Sequence, residues 1–327
     1  MEFGLQVSNT EWTQLKDYAQ AAEGLGYDLI TVPDHLVMEG PEHQFDPQHL
    51  IYDSLTQAAV LAEVTKKIRI AHLVLCNLFR HPAVTAKALA SLDHLSGGRM
   101  YAGLGSGWTQ REFDMTGIAF PEIKPRLRML DEALSVMRML WTQSETTFAG
   151  EFYQLKDAVS YPKPVQKPYP PILLGGGGKG LLRIAAKHAD VINIISDAGK
   201  PGYISMEQVA KLTDDSFRAK VKFVRDEAAK LGRDAKKIRI SNVLFTCMLT
   251  ESAAATQSMA AAMAPMFQTT AEGLLQSPMA LIGTPDECVA ELKRRARDWE
   301  IDQFVFSNVT ADAARQISEK VIAGMRG

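Results

Sequence analysis

Four consecutive glycines between an apolar segment and a helical segment could bind an anion. Ile172–Leu174 has the character of a strand, and a helix is predicted from Gly180 to His188. The glycines between them are Gly175, Gly176, Gly177 and Gly178. Glycine lets a ligand approach the main chain, and a helix start offers free N–H groups and the positive end of its dipole. The run therefore predicts a cradle for a phosphate group.

The same run formally satisfies a dinucleotide-binding fingerprint through the spacing of Gly175, Gly177 and Gly180. That fingerprint also requires an acidic residue at the end of a second strand about 20 residues later. Asp190 comes too early, and it begins the next predicted strand. A dinucleotide site is therefore not supported, and a glycine-rich turn needed only for close packing stays as the alternative interpretation.

Polar side chains follow two other predicted strands. Asp34 and His35 come directly after the second strand, and Cys76 and Asn77 follow the third. An Asp-His pair can relay a proton or hydrogen-bond a heterocycle, although the same pair is also common in helix caps and loops. Both interpretations of Asp34 and His35 stay open on this pattern.

Glycines alternate along the fourth predicted strand and beyond its end, at Gly103, Gly105 and Gly107. Alternating positions share one face of a strand. A flat ring could lie against such a face, and relief of crowding inside a closed barrel is the alternative.

Strand and helix patterns alternate along almost the whole chain. The predicted strands are Phe3–Val7, Asp28–Val32, Ile68–Leu75, Met100–Leu104, Ile172–Leu174, Asp190–Ile195, Ile238–Leu249 and Ile301–Ser307. The predicted helices are Trp12–Gly24, Ser54–Thr65, Ala83–Leu95, Pro125–Thr142, Gly180–His188, Met206–Leu231, Pro285–Asp298 and Asp312–Met325. Eight strands that are each followed by a helix predict a single (β/α)8 barrel domain over residues 1–327, with its chemistry at the carboxyl ends of the strands.

Two segments exceed the usual length of a connection from strand to helix, residues 36–52 and residues 250–283. Long loops at this face of a barrel commonly act as lids or binding loops. We therefore expect residues 250–283 to form a lid insertion between strand seven and helix seven. Its methionines, Met259, Met263 and Met266, are expected to pack in a core rather than to hold a cofactor.

Composition argues against several classes of function. The net charge is −2, from 36 basic and 38 acidic residues, without the basic block that nucleic acid or an anionic membrane requires. Cys76, Cys247 and Cys288 are far apart, which argues against a disulfide framework or a zinc site. Neither a His-Glu-x-x-His motif nor a serine nucleophile elbow is present. Because we also find no signal peptide and no apolar run of membrane-spanning length, we expect a cytoplasmic protein.

Five motifs in this order resemble the bacterial luciferase-like flavin monooxygenases. More narrowly, they resemble the branch that uses the deazaflavin coenzyme F-420, an 8-hydroxy-5-deazaflavin also written F420. The motifs are Pro33-Asp34-His35, Asn77–Ala83, Leu95–Arg99, Gly103–Trp108, and Pro162-Lys163-Pro164 before the glycine run. The resemblance spans nearly the whole chain. It implies a (β/α)8 barrel with a lid insertion, a homodimer, and a coenzyme ring in the mouth of the barrel.

The resemblance also implies roles for individual residues. His35 is the catalytic candidate and would lie near the reacting face of the coenzyme. The peptide between Leu73 and Val74 would be cis and would back the ring. The residues that would contact the coenzyme are Asp34, Leu73, Val74, Cys76, Asn77, Ser106, Gly107, Gly175, Gly176, Gly177 and Gly178.

One position departs from the resemblance. F-420-dependent sugar-phosphate dehydrogenases of this family carry a glutamate where this chain has Trp108. An indole there favours an apolar or aromatic substrate. The resulting hypothesis is an oxidoreductase that transfers hydride between F-420 and a small, apolar organic molecule. The alternatives are an FMN-dependent monooxygenase, and a non-catalytic flavin or F-420 carrier that would need neither His35 nor a lid.

Overall fold

The apolar strands close into a parallel barrel in the computed structural model, which describes residues 1–7, 11–38, 45–197 and 206–327. The eight barrel strands in this described part are β1 Glu2–Gln6, β2 Leu29–Val32, β3 Arg69–His72, β4 Met100–Gly105, β5 Ile172–Gly176, β6 Val191–Ile194, β7 Arg239–Leu244 and β8 Ile301–Phe306. Each strand pairs in parallel with the next, and β8 pairs with β1. The predicted (β/α)8 barrel is confirmed.

Amphipathic helices surround the strands. They are α1 Trp12–Gly24, α2 Ser54–Val64, α3 Pro82–Leu95, α4 Ile123–Thr142, α5 Lys179–His188, α6 Asp214–Lys230, α7 Pro285–Asp298, and α8 Ala311–Gln316, which continues through the π-helical turn Ile317–Ile322 and the last turn Ala323–Arg326. In α1, Leu15, Ala19 and Ala22 fall on one face and are buried. Additional short helices are Gln110–Thr116 and Met206–Ala210, and Thr146–Ala149 pairs with Gln154–Ala158 as an antiparallel hairpin.

The single helix predicted over residues 206–231 is wrong, because the chain forms two helices there. Thr213 begins α6 with a capping box, in which its side chain and that of Ser216 exchange hydrogen bonds with each other's backbone N–H. This start signal separates α6 from Met206–Ala210.

The predicted strand Ile68–Leu75 is interrupted. β3 ends at His72, the Leu73–Val74 peptide is cis as expected, and pairing with β4 resumes at Leu75–Cys76. The chain therefore bends at the carboxyl end of β3, where the candidate site lies.

Apolar side chains fill the interior of the barrel. The buried ones are Leu29, Ala71, Tyr101, Leu173, Val191, Val243 and Val305. Four partly buried residues from the carboxyl ends of strands pack against them, namely Leu73, Val74, Ile195 and Phe245. The mouth of the barrel therefore has an apolar floor.

The predicted strand Ile238–Leu249 is also two strands, and the second one starts the insertion. Thr246–Leu249 pairs in parallel with Ala280–Gly283, and the helices Ala253–Met263, Ala264–Phe267 and Ala271–Leu275 lie between them. This unit has a small core of its own, composed of Leu274, Ala280 and Ile282 with Met248, Met259, Met263, Phe267 and Leu275. Met259 and Met263 are packed as predicted, whereas Met266 is 65% exposed and the prediction for it is wrong.

A buried arginine attaches this insertion to α7. The guanidinium of Arg295 donates hydrogen bonds to the backbone carbonyls of Ser277, Pro278 and Ala280. Its side chain is fully buried. The end of the insertion is thus fixed to the barrel wall, and the lid role of residues 250–283 stays a prediction. Among the described residues, every helix is too short or too polar to cross a membrane.

Candidate active site

The carboxyl ends of four neighbouring strands bring the predicted residues to one end of the barrel. Asp34 and His35 follow β2, Cys76 and Asn77 follow the bend after β3, Ser106 to Trp108 follow β4, and the glycine run ends β5 and begins α5. Parallel strands of a barrel end on the same side, so these residues surround one mouth. In the part of the chain that the structure describes, no group of His, Cys, Asp and Glu could hold a metal ion.

Asp34 is the centre of a buried polar network. Its carboxylate accepts hydrogen bonds from the Ser54 hydroxyl at 2.6 Å and from the Cys76 backbone N–H at 2.8 Å. The Arg80 guanidinium donates three more, at 2.8 to 3.2 Å. Both oxygens of Asp34 therefore have protein donors. Asp34 fixes the start of α2 and the bend after β3, and its predicted hydrogen bond to a coenzyme stays a prediction.

His72 lies behind this network and is completely buried. Its Nε2 is 3.3 Å from the backbone oxygen of Ser54, whose hydroxyl contacts Asp34. Burial lowers the pKa of His72 to about 4, although the Asp34 carboxylate acts in the opposite direction. His72 is therefore neutral at pH 7.

We expect the protein to lose stability as the pH falls from about 6.5 to 4, because the unfolded chain binds a proton at His72 in this range and the folded chain does not. The contribution of this residue is at most about 1.4 kcal/mol per pH unit. Urea denaturation of the parent and of His72→Gln at pH 7, 6 and 5 would measure it. Equal losses of stability in the two proteins would contradict the assignment.

Glu112 lies in the candidate site, although none of the sequence motifs indicated it. Its side chain is 3% exposed, and Oε1 lies 3.1 Å from Nδ1 of His35. The same oxygen accepts the backbone N–H of Leu36 at 2.6 Å. The ring of Trp108 meets the imidazole of His35 edge-on, with the ring centres 5.4 Å apart. His35 is thus held between a buried carboxylate and an indole. Glu112 lies in the first turn of the short helix Gln110–Thr116, which begins just after Trp108.

Other parts of the chain occupy the space beside the glycines of β4. A Cβ atom at Gly103 would lie 1.6 Å from the backbone oxygen of His72, and one at Gly105 would lie 2.6 Å from Cγ2 of Val74. The face predicted for a flat ring is therefore occupied at these two positions, which supports relief of crowding. Gly107 has a positive φ of 75° and packs against Cys76. Val74 itself stays partly exposed at the mouth.

Asn77 and Gly107 are tied into the wall of the mouth. The Asn77 backbone N–H donates to the Gly105 oxygen at 3.0 Å, and its side-chain amide contacts the Tyr153 hydroxyl at 3.2 Å. The Gly107 oxygen accepts a hydrogen bond from the buried Arg126 at 2.7 Å. These bonds fix the wall on both sides of the half-buried Ser106.

Two neighbouring glycines of the run have different surroundings. A Cβ atom at Gly177 would lie 2.1 Å from the backbone oxygen of Ile195, so this glycine is required for packing. A Cβ atom at Gly178 would meet nothing within 4 Å. Gly178 precedes the first residue of α5, and no described side chain caps that helix start. The Lys220 ammonium lies beside this run. Its Nζ donates hydrogen bonds to the Gly177 oxygen and to Asp197, both at 2.6 Å.

Comparisons with known proteins agree with the fold. The family model described as luciferase-like monooxygenase matches residues 1–303. The chain is 30% identical over 326 residues to an F420-dependent glucose-6-phosphate dehydrogenase of Amycolatopsis mediterranei, a match that covers 95% of this chain and 94% of that protein. It is 33% identical over 145 residues to an FMNH(2)-dependent dimethylsulfone monooxygenase of Pseudomonas putida, a match that covers 44% of this chain and 39% of that protein.

Among solved structures, the chain is similar to an F420-dependent secondary alcohol dehydrogenase in complex with an F420-acetone adduct. The TM-score is 0.79 at 20% identity, and the match covers 100% of this chain and 99% of that one. This likeness shows the fold. The resemblance expected from the five ordered motifs is confirmed, and the chain belongs to the luciferase-like monooxygenase family.

Proposed function

We propose that this chain is an oxidoreductase that transfers hydride between coenzyme F-420 and a small organic substrate in the mouth of the barrel. The observation that carries the proposal is the presence, at one end of the barrel, of an uncapped helix start at Gly178 and of His35 held by Glu112. The relatives named F420-dependent support the choice of coenzyme. A carrier without catalysis would need no such histidine.

The residues present fit a coenzyme that carries a phosphate. The open space at Gly178 and the uncapped N–H groups of α5 offer donors to an anion. Lys220 lies beside them, paired with Asp197. The bound deazaflavin would supply a ring carbon that carries hydride. The protein then has to bind and orient the two reactants, exclude water and move one proton.

His35 is the group that could move this proton. Its Nδ1 is engaged by Glu112, so Nε2 is the ring nitrogen left for a substrate hydroxyl or carbonyl. In the direction of oxidation Nε2 would accept the proton of the substrate hydroxyl, and in reduction it would return that proton. Val74 would back the ring, and Asp34 would hold the bend that presents Val74.

The mouth favours an apolar substrate. Leu73, Val74, Ile195 and Phe245 form its floor, and the indole of Trp108 adjoins His35. Relatives of this chain are named glucose-6-phosphate dehydrogenases. A sugar phosphate needs polar partners that this floor does not offer. We therefore propose small ketones, enones or secondary alcohols as the substrate class.

An assay of substrate classes tests this proposal. We expect no robust oxidation of glucose 6-phosphate with F-420, and turnover of cyclic enones or small secondary alcohols. Trp108→Ala should weaken binding of the apolar substrate by roughly 2- to 10-fold, because one aromatic contact is lost. Absorbance of the coenzyme reports each reaction. Robust oxidation of the sugar phosphate without turnover of the apolar compounds would overturn the proposed substrate class.

We expect Gly178→Asp to abolish coenzyme binding while leaving the protein at least as stable as the parent. An aspartate at this position would cap the free N–H groups of α5 and repel a phosphate. Gly178→Asn is the matched control, because it caps without a charge. Gly177→Ala should instead lower the melting temperature, since its methyl group meets the Ile195 backbone. Parental coenzyme affinity in a folded Gly178→Asp variant would remove the cradle assignment.

An FMN-dependent monooxygenase is the second candidate, supported by the similarity to the dimethylsulfone enzyme. FMN also carries a phosphate, so the helix start at Gly178 would serve either coenzyme. The homodimer stays a prediction of the family resemblance. The lid role of residues 250–283 and the cytoplasmic location also stay predictions.

A further inference from the structure

We propose that Glu112 is a positioning residue, which holds His35 in one tautomer and orients its free nitrogen toward the substrate. This inference rests on the proposed function for its catalytic consequence, but the tautomer itself can be measured without substrate or coenzyme. The relevant geometry is one oxygen of Glu112 that contacts three nitrogen atoms. They are the backbone N–H of Leu36 at 2.6 Å, Nδ1 of His35 at 3.1 Å and, more weakly, the backbone N–H of Val37 at 3.5 Å.

The shared oxygen decides which nitrogen of His35 carries hydrogen. A backbone N–H can only donate, so Oε1 of Glu112 acts as an acceptor toward Leu36. The contact between the same oxygen and His35 is a hydrogen bond only if Nδ1 carries a proton. Neutral His35 is therefore the Nδ1–H tautomer, and Nε2 has the lone pair that a general base requires.

The surroundings of Glu112 make this arrangement rigid. Its side chain is 3% exposed, whereas that of His35 is 17% exposed. Asp34, which precedes His35, is paired with Arg80 at 2.8 Å, and Arg80 also pairs with Asp53 at 2.9 Å. Arg111 precedes Glu112, and its guanidinium lies over the ring of Phe45. Glu112 is thus the carboxylate that acts on His35, in the way that a buried carboxylate orients the histidine of a hydrolase triad.

The direct test is nitrogen NMR of the imidazole of His35 in the free protein, with His35→Ala identifying its signals. We expect the Nδ1–H tautomer in the parent. Glu112→Gln keeps an acceptor oxygen and should keep this tautomer, whereas Glu112→Leu removes it and should shift the population to Nε2–H. A parent protein in the Nε2–H form, or a Glu112→Leu variant with the parental tautomer, would overturn the proposal whatever the enzyme's substrate is.

Measurements of kcat and KM test the catalytic consequence of the Glu112–His35 contact. We expect Glu112→Leu to lower kcat by roughly 100-fold or more, with the KM for the coenzyme almost unchanged. Glu112→Gln should lose less, because its amide oxygen can still accept a hydrogen bond from Nδ1. A loss confined to melting temperature, with parental kcat in both variants, would show a merely structural role.

Discussion

Replacing Arg80 with methionine is expected to destabilise the protein by about 3 kcal/mol or more, because Asp34 would keep a buried charge without its cation. The pair is well enclosed, since the side chain of Asp34 is 3% exposed and that of Arg80 is 17% exposed. Urea denaturation at pH 7 measures the change. The bend after β3 also depends on Asp34, so coenzyme affinity should fall in the same variant.

Two comparisons make the Arg80 prediction specific. Arg128→Met breaks an exposed ion pair with Glu151 and should change stability far less. Combining Arg80→Met with Asp34→Leu removes both charges, and the loss of stability should be smaller than the sum of the two single losses. A full additive loss, or an Arg80→Met variant as stable as the parent, would contradict a coupled buried pair.

Replacing His35 with alanine is expected to lower kcat by roughly 100- to 10,000-fold, which is the range for loss of a general acid or base. The dissociation constant of the coenzyme should change little, because the phosphate cradle at Gly178 is untouched. His94→Ala is the matched control, since this histidine lies on the outer helix α3 and contacts Lys163. If His35→Ala kept parental turnover, His35 would be a loop residue without a catalytic role.

Local patterns predicted the fold well because each element has its own signals. The bounds of α1 and α7 agree with the predicted Trp12–Gly24 and Pro285–Asp298. The element predictions that were wrong concern interruptions. A capping box at Thr213 divides one predicted helix, and a break at Phe245 divides one predicted strand. Apolar periodicity continues across such breaks, so it does not reveal them.

The site was predicted less completely, because its geometry depends on contacts between distant residues. Asp34 was predicted as a coenzyme ligand, which stays a prediction, and its protein partners Ser54 and Arg80 lie 20 and 46 residues away in sequence. The glycine run correctly indicated an uncapped helix start, but only the three-dimensional packing shows that Gly177 touches Ile195 while Gly178 is open. Glycine spacing alone does not distinguish space for a ligand from space for the chain itself.

Glu112 is a second example of a contact that the sequence motifs did not indicate. The family's sugar-phosphate dehydrogenases carry a glutamate at position 108, and Trp108 at this position favoured an apolar or aromatic substrate. The structure places a different carboxylate beside His35, from the next helix, Gln110–Thr116. The carboxylate near His35 therefore depends on which side chain the helix directs toward the site, and not on the residue type at position 108.

Titration with each coenzyme tests whether this barrel uses F-420 for hydride transfer. The protein is titrated separately with F-420 and with FMN, and absorbance is recorded with and without a small secondary alcohol under exclusion of oxygen. We expect tighter binding of F-420, loss of that binding in Gly178→Asp, and reduction of bound F-420 by the alcohol. Preferential binding of FMN, with oxygen consumption and no turnover of F-420, would contradict it.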